Sequence, residues 1–291
     1  MNSAYRTYEI HEVANLTGLT PDRLRVWERR YEVVRPGRQP NGYRAYTADQ
    51  VALLRAFARL VGRGARIGEL VGRPAAEVVE KAWEETEDGT PLGAMLAAIR
   101  RLDRGPLEVL VADELATRGL SRFADEIVLP LAELIGDLWA VGDLPIAGEH
   151  LASEVVLHVL KGGLNSQRNN GPLLLCAALP GERHEWGFLV TLARLHGLGW
   201  QPDYLGTDLP LEEVIQAAWR LAPAGVALSV SDPESCAFAL DVLLTLPSRL
   251  PAGCFAAIGG AGIEGRQRVL ADAGFRLGLE HFAFLPSAIA R

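Results

Sequence analysis

Residues 23–36 read RLRVWERRYEVVRP, a stretch in which arginines are interspersed with apolar residues. Leu24 and Trp27 stand three positions apart, which predicts a helix over residues 21–30 with these two side chains turned inward. The other face collects basic side chains dense enough to meet phosphates and guanine edges in a DNA major groove, namely Arg23, Arg25, Arg29 and Arg30. The stretch therefore predicts a recognition helix.

A shorter helix is predicted just before this one. Residues 11–17 have a helical apolar pattern that Gly18 ends, and its inward members are Val13, Ala14 and Leu16. Thr20 then precedes Pro21, as an N-cap residue precedes a proline in the first turn. The two segments together have the pattern of a helix-turn-helix.

Residues 38–46, RQPNGYRAY, follow the helix pair. An Asn-Gly turn beside alternating aromatic and basic residues predicts a two-stranded wing that straddles backbone phosphates, with Arg38, Tyr43 and Arg44 as contacts. A helix over 47–62 comes next and offers an apolar face for packing, made of Val51, Leu53, Leu54, Phe57 and Leu60.

The charge distribution separates this part from the rest of the chain. Residues 1–74 hold 13 basic against 7 acidic residues, whereas the 291-residue chain has a net charge of −7. Only the N-terminal part therefore suits a polyanion. We find no apolar run that could span a membrane and no signal peptide, and we expect a cytoplasmic protein. The cysteines Cys176, Cys236 and Cys254 stand singly, which predicts neither a zinc site nor a disulfide framework.

The rest of the chain has two further patterns. The acidic string 84–89 reads as a boundary, and four helical segments over 91–103, 106–118, 121–139 and 147–164 predict a four-helix bundle. From Pro172 onward, buried strands alternate with helices, which predicts a doubly wound parallel sheet. We thus expect three domains of a mixed α and α/β fold: a winged helix over 1–75, a bundle over 90–168 and a Rossmann-like domain over 171–291.

Ligands of doubly wound sheets bind at the carboxyl ends of the strands. The loop after the first predicted strand, 180–187, reads PGERHEWG and places a histidine there. An imidazole on this loop can offer a neutral nitrogen to a transition metal while a nearby carboxylate orients its other nitrogen. His184, with Glu182 two residues before it, is therefore a candidate metal ligand. Taken alone, a solvated loop histidine is the commoner case.

Two family resemblances rest on these motifs. The string WERRY at 27–31, followed in register by NGYRAY at 41–46, resembles the MerR family of promoter-binding regulators. That resemblance implies binding of double-stranded promoter DNA as a homodimer through the helix after the wing. Trp27 is expected in the core.

The second resemblance is to the cobalamin-binding fold, whose acidic-x-His-x-x-Gly loop matches Glu182, His184 and Gly187. It implies that His184 binds the cobalt and that the nucleotide tail passes along the sheet. Small residues would leave room for the tail, and these are Ser229, Gly259 and Gly260. The serine departs from the usual Ser-x-Leu pattern, because Val230 and Ser231 follow it.

A third motif is Trp139 with Glu149 and His150 ten residues later. With the other two, it resembles the CarH-type light-dependent repressors over nearly the whole chain. This implies adenosylcobalamin capped by these three residues, and a tetramer that light takes apart. Ala140, however, stands where light-responsive members commonly carry histidine, so the signal could be light, cofactor availability or another corrinoid.

Other interpretations remain open. The C-terminal part could have lost its cofactor and only oligomerise, or could bind another flat chromophore. The bundle and cobalamin modules also occur in corrinoid methyl-transfer proteins, but the winged helix and the lack of a catalytic domain argue against an enzyme.

Overall fold

The computed structural model describes residues 7–83 and 90–278. The predicted acidic boundary at 84–89 lies outside these residues. Contacts divide the chain into two compact units, one of Met1–Leu110 with Pro130–Val155 and the other of Val111–Leu129 with Val156–Arg291. The predicted domain limits at 75, 90–168 and 171–291 stay predictions. No helix in the described ranges is long and apolar enough to cross a membrane.

The first unit begins with the predicted helix-turn-helix. Helix α1 (Ile10–Thr17) ends at Gly18, whose φ of 68° is left-handed, and α2 (Pro21–Val26) continues into a π-helical turn over Trp27–Tyr31. The Thr20 side chain accepts a hydrogen bond from the backbone of Arg23 at 3.2 Å, so the expected N-cap is confirmed. Leu24 and Trp27 are buried as predicted, but Leu16 is 44% exposed because it lies on the outer side of the last turn of α1.

A short antiparallel hairpin forms the wing. Strand β1 (Gly37–Arg38) pairs with β2 (Arg44–Ala45). The amide of Gly42 donates to the Gln39 carbonyl at 2.8 Å, and its φ of 84° is a conformation that glycine adopts without strain. The Asn41 side chain accepts from the amide of Tyr43 and holds the turn. The predicted wing is therefore confirmed.

Three helices follow: α3 (Ala48–Gly62), α4 (Ile67–Leu70) and α5 (Ala75–Ala82). Helix α3 packs against α1, α4 and α5. We expected the apolar face of α3 to pack against a dimer partner, but it is buried within one chain. Its residues Val51, Leu54, Phe57 and Leu60 are at most 5% exposed. A helix of this size covers its apolar stripe with the nearest available helices, and here these belong to the same unit.

The segment predicted as a bundle contains the four expected helical stretches. These are α6 (Pro91–Arg100), α7 (Arg104–Arg118), a third stretch in several pieces, and α10 (Ile146–Ser166). The third consists of α8 (Leu120–Phe123), a π-helical turn over Ala124–Val128 and α9 (Leu129–Ala140). Helices α7 and α10 each contribute residues to both units.

The second unit contains a parallel five-stranded sheet of order β4-β3-β5-β6-β7. Its strands are β3 (Leu173–Ala178), β4 (Gln201–Tyr204), β5 (Gly225–Ser229), β6 (Phe255–Gly259) and β7 (Phe275–Leu277). The helices between them are α11 (Trp186–Gly197), α12 (Leu211–Leu221), α13 (Pro233–Phe238), α14 (Leu240–Arg249) and α15 (Gln267–Asp272).

The sheet confirms the predicted doubly wound fold, with two differences. The sequence pattern over 234–246 predicts one helix, but this segment is broken at Ala239 into α13 and α14. The sequence pattern also predicts four strands in this domain, and β7 is a fifth. The order places β4 on one side of β3 and β5 on the other, so successive crossovers leave the first strand in opposite directions. A crevice opens at such a switch point, beyond the carboxyl end of the first strand.

Candidate functional site

The histidine loop lies directly beyond the carboxyl end of β3. The amide of Leu179 donates to the carbonyl of Ser229, which extends the pairing of β3 with β5 by one residue. Gly181 then turns the chain with a φ of 82°, and its amide donates to the Asp208 carboxylate at 2.8 Å. The loop is thus tied to segments that follow β4 and β5.

Glu182 is the centre of this loop. Its side chain is wholly buried, and its Oε1 accepts hydrogen bonds from the backbone amides of Arg183 and His184 at 2.9 and 2.7 Å. Its Oε2 accepts from the amides of Ser231 and Asp232, which follow β5. Burial alone would raise the pKa of Glu182, but the hydrogen bonds from His184 and Ser231 lower it below its usual value. The buried carboxylate of Glu182 therefore holds the histidine loop against the segment that follows β5.

The same carboxylate orients the ring of His184. Nδ1 of His184 lies 2.8 Å from Oε1 of Glu182, while 72% of the histidine side chain is exposed. With Nδ1 donating to Glu182, the neutral ring presents Nε2 as an electron-pair donor. A carboxylate that orients an imidazole in this way is the usual support of a histidine ligand to a metal.

The small residues expected to accommodate the nucleotide tail lie at the ends of β5 and β6. Ser229 is buried and stands opposite Gly259 in the parallel register. A Cβ added at Gly259 would meet no atom within 4 Å, whereas one at Gly260 would lie 2.1 Å from the Val230 carbonyl oxygen. Space is therefore present beside Gly259, but Gly260 is required by close backbone packing. This corrects our reason for that second glycine.

Gly187 lies in the first turn of α11, and a Cβ there would also meet nothing within 4 Å. The third position of the motif thus has open space around it.

The three residues of the third motif belong to the first unit. Trp139 is half-buried near the end of α9, and Ala140 is the last residue of that helix. Glu149 lies in the first turn of α10 and His150 follows it, and the Ser153 hydroxyl donates to Glu149 at 3.1 Å. His150 is exposed, and its Nε2 lies 3.9 Å from Glu149. Their expected place over a corrin stays a prediction.

Sequence reasoning missed a second carboxylate on the histidine loop. Glu185 accepts a hydrogen bond from the Tyr204 hydroxyl at 2.8 Å and forms an ion pair with Lys161 of α10, also at 2.8 Å. A cavity of about 150 Å³ lies beside this cluster and is lined in part by Lys161, Asn165 and Tyr204. Nothing in the local sequence indicates the cluster, because its members come from three separate elements.

The predicted DNA contacts divide into six exposed side chains and one, Arg44, that is more enclosed. Arg23, Arg25, Arg29, Arg30, Arg38 and Tyr43 are exposed. Arg25 forms only a surface ion pair with Asp22 at 2.7 Å. Arg44 is more enclosed, because its Nε donates to Glu28 at 2.7 Å, and the hydroxyl of the buried Tyr46 also donates to Glu28. The recognition helix and the wing are thus joined through one carboxylate.

A basic winged helix-turn-helix joined to a parallel sheet with an oriented histidine defines a class of protein: a DNA-binding regulator with a cofactor-binding sensor domain. Comparison with known proteins agrees with this class. Residues 8–72 match the MerR HTH family of regulatory proteins, and residues 92–161 match the B12 binding domain.

Two relatives extend along nearly the whole chain. The HTH-type transcriptional repressor CarH of Myxococcus xanthus is 34% identical over 281 residues, which cover 91% of this chain and 93% of the relative. The HTH-type transcriptional repressor CarA of the same organism is 29% identical over 282 residues, covering 94% and 92%. The chain belongs to this family of MerR-type repressors with a B12-binding domain. It binds DNA and cobalamin.

Among solved structures, the monomethylamine corrinoid protein of Methanosarcina barkeri matches 71% of this chain and 99% of its own length, with a TM-score of 0.50 and 16% identity. At this identity the match supports the shared fold only.

Proposed function

We propose that this chain represses transcription in response to a cobalamin whose cobalt would be bound by His184. The observation that carries the proposal is the buried Glu182 carboxylate, which holds Nδ1 of His184 and leaves the ring exposed. This donor set fits cobalt, since a neutral imidazole nitrogen is a suitable ligand for a transition metal. The open space beside Gly259 suits a displaced nucleotide tail.

Adenosylcobalamin is the form we propose. Such a cofactor supplies a cobalt–carbon bond that light can break. The protein's part is to hold His184 in one tautomer, to leave room at Gly259 and to cover the other face of the corrin with Trp139, Glu149 and His150. The last of these roles rests on resemblance to the repressors named above.

The DNA-binding part of the proposal rests on exposed arginines. Arg23, Arg29 and Arg30 project from the recognition helix, and Arg38 and Tyr43 lie on the wing. Arginine can bind guanine edges and phosphates with the same side chain, so these residues suit both contacts in a promoter. We propose that a homo-oligomer, either a dimer or a tetramer, binds the two half-sites of the operator DNA.

The test of cobalt ligation is an absorption spectrum of the purified chain with added adenosylcobalamin. We expect the wild type to retain the corrinoid through gel filtration and His184→Ala to lose most of it, because the cobalt ligand is gone. His196→Ala is the matched control, since His196 lies on the same unit and instead contacts the Gln167 carbonyl. Equal retention by wild type and His184→Ala would refute the ligand role, and no retention by either would refute adenosylcobalamin as the bound form.

A further inference from the structure

A cluster of charged side chains joins α3 of the DNA-binding part to α9, the helix that carries Trp139. Arg55 Nη1 lies 2.6 Å from an oxygen of Asp137, and one helical turn away Arg59 Nη2 lies 2.6 Å from an oxygen of Glu133. All four residues belong to the first compact unit. We call this set the α3–α9 latch. The two ion pairs have matching spacing, because Arg55 and Arg59 are four residues apart on α3 and Glu133 and Asp137 are four residues apart on α9.

The latch also reaches the helix-turn-helix. Nε of Arg55 donates to the Leu16 carbonyl in the last turn of α1 at 3.3 Å. The Arg59 guanidinium lies 3.6 Å from the centre of the Trp83 ring, just after α5. One face of α3 thus gathers contacts from α1, α9 and the end of α5.

Asp137 is the most enclosed member of the latch, with only 4% of its side chain exposed. Burying a carboxylate among helices costs free energy that an apolar residue would not cost, so a buried ion pair is poor evidence of a contribution to stability. Removing one partner, however, leaves the other charge uncompensated. The best-attested use of such a buried polar pair is to specify how packed elements are placed relative to each other.

The place of Asp137 on α9 relates the latch to the proposed cofactor site. Asp137 precedes Trp139 by two residues on the same helix, so the two side chains leave α9 on different sides. One turn of a helix moves as a unit. A small displacement of α9 at Trp139 therefore also displaces Asp137. Trp139 therefore lies on the proposed sensor side and Asp137 on the side that holds α3.

We propose that Asp137 is a positioning residue that carries the state of the corrinoid from α9 through Arg55 to α3 and the helix-turn-helix. This inference rests on the proposed function, since it assumes a cofactor at Trp139. It requires no contact between the latch and either ligand. Both α9 and α3 need only have two arrangements that the latch keeps in step.

The charges around Asp137 predict that the latch depends on pH. Burial and the nearby Glu133 raise the pKa of Asp137 to about 6, against the opposing charges of Arg55 and Arg59. Above that pH the carboxylate is ionised and attracts both arginines. Below it the neutral carboxyl attracts them less, so the latch is weaker in mildly acidic solution.

The test measures operator affinity of the full chain with and without adenosylcobalamin at about pH 7.5. We expect the ratio of the two affinities in the wild type to be about fivefold or more, as is usual for coupled sites. In Asp137→Asn the ratio should fall toward one, while adenosylcobalamin retention stays at the wild-type level. Lowering the pH of the wild type to about 5 should reduce the ratio in the same way, and Asp137→Asn should lack this pH dependence.

The matched control is Asp143→Asn. Asp143 follows α9 and pairs with Arg100 of α6 at 2.5 Å, so its replacement removes an ion pair near the same helix without touching α3. Its ratio should remain that of the wild type. If Asp137→Asn does not fold, Arg55→Gln removes the same pair from the less enclosed side and should give the same loss.

Several results would overturn the proposal. One is a ratio in Asp137→Asn, or in Arg55→Gln, that stays within about twofold of the wild-type value. Another is an equal fall in Asp143→Asn, and a third is a wild-type ratio of one. In hydrogen exchange without cofactor, α3 should exchange faster in Asp137→Asn than in Asp143→Asn, and equal protection would also refute the latch. Retention of the corrinoid is measured in the same samples. If the corrinoid is retained but the affinity ratio does not change in the variants, the latch is refuted; if the wild type does not retain it, the proposed function is refuted.

Discussion

At the scale of single residues, two carboxylates hold side chains that have predicted functions. These are Glu182 and Glu28. Each is a buried or nearly buried carboxylate that receives several donors, and each thereby fixes the position of a side chain with a predicted function. Their own roles are structural, but the geometry of His184 and Arg44 depends on them.

The arginines predicted to contact DNA should therefore behave differently. Arg25→Ala should weaken operator binding by about 1–3 kcal/mol if the arginine reads a guanine, and leave the melting temperature unchanged, because its surface pair with Asp22 contributes little. Arg44→Ala should weaken binding and also destabilise the fold by about 1–3 kcal/mol, because Glu28 loses a partner while only 11% exposed.

Fluorescence anisotropy with operator DNA and thermal unfolding measure the two effects. Arg73→Ala serves as control, since its exposed pair with Glu77 lies outside the predicted interface. Unchanged binding in both Arg25→Ala and Arg44→Ala would contradict the assignment of helix and wing.

Ala140 stands at a position where the resemblance to light-dependent repressors leads us to expect histidine. Alanine cannot ligate cobalt, and light should still break the cobalt–carbon bond because that lability belongs to the cofactor. We expect the illuminated wild type to keep an exchangeable upper position, so that added imidazole changes its visible spectrum. Ala140→His should give a spectrum that imidazole no longer perturbs. Resistance to imidazole in the wild type would mean that another residue, His150 or His158 first, supplies the ligand.

At the scale of elements, the turn after β6 contains two glycines with different reasons to be glycine. Gly260 has a φ of 104° and packs against the Val230 carbonyl, whereas Gly259 faces open space. Gly260→Ala should therefore lower the free energy of unfolding by about 1–3 kcal/mol because of backbone strain.

Gly259→Ala should leave stability within about 0.5 kcal/mol of the wild type and should weaken cobalamin retention if the tail occupies that space. Urea unfolding and retention after gel filtration test the pair. A Gly259→Ala variant that retains cobalamin like the wild type would remove the tail from this slot.

Helix α3 lies where the sequence predicts it, but its apolar face packs against helices of its own chain and not against a dimer partner. Its apolar face is where we predicted it, but Leu54 and Phe57 are covered by helices of the same chain. In this arrangement the buried side chains of that face are not exposed to a second copy of the chain.

At the scale of the whole molecule, the cofactor is expected to control assembly. A ligand that binds one arrangement of a chain stabilises that arrangement and any oligomer built from it. We expect light scattering to show a larger or more uniform oligomer with adenosylcobalamin than without it, and His184→Ala to remain in the apo state under both conditions. Identical masses for apo and loaded wild type would contradict this.

Much of the fold and the site could be predicted from sequence. Local signals placed the helix-turn-helix, the wing, the four helical stretches and the alternation of strands and helices, because caps, turns and apolar periodicity are encoded within a few residues. The loop motif likewise identified Glu182 and His184, since they are two residues apart.

The remaining features depended on residues far apart in the chain. Asp137 lies 82 positions from Arg55, and Glu185 meets Lys161 and Tyr204 from separate elements. Apolar periodicity indicates which face of a helix is buried but not what covers it, so the sequence by itself determined the elements and the histidine motif. Only the tertiary structure decided that the apolar face of α3 is covered within its own chain, that Gly260 serves backbone packing, and that a buried carboxylate on α9 holds α3, because each of these depends on which elements meet in space.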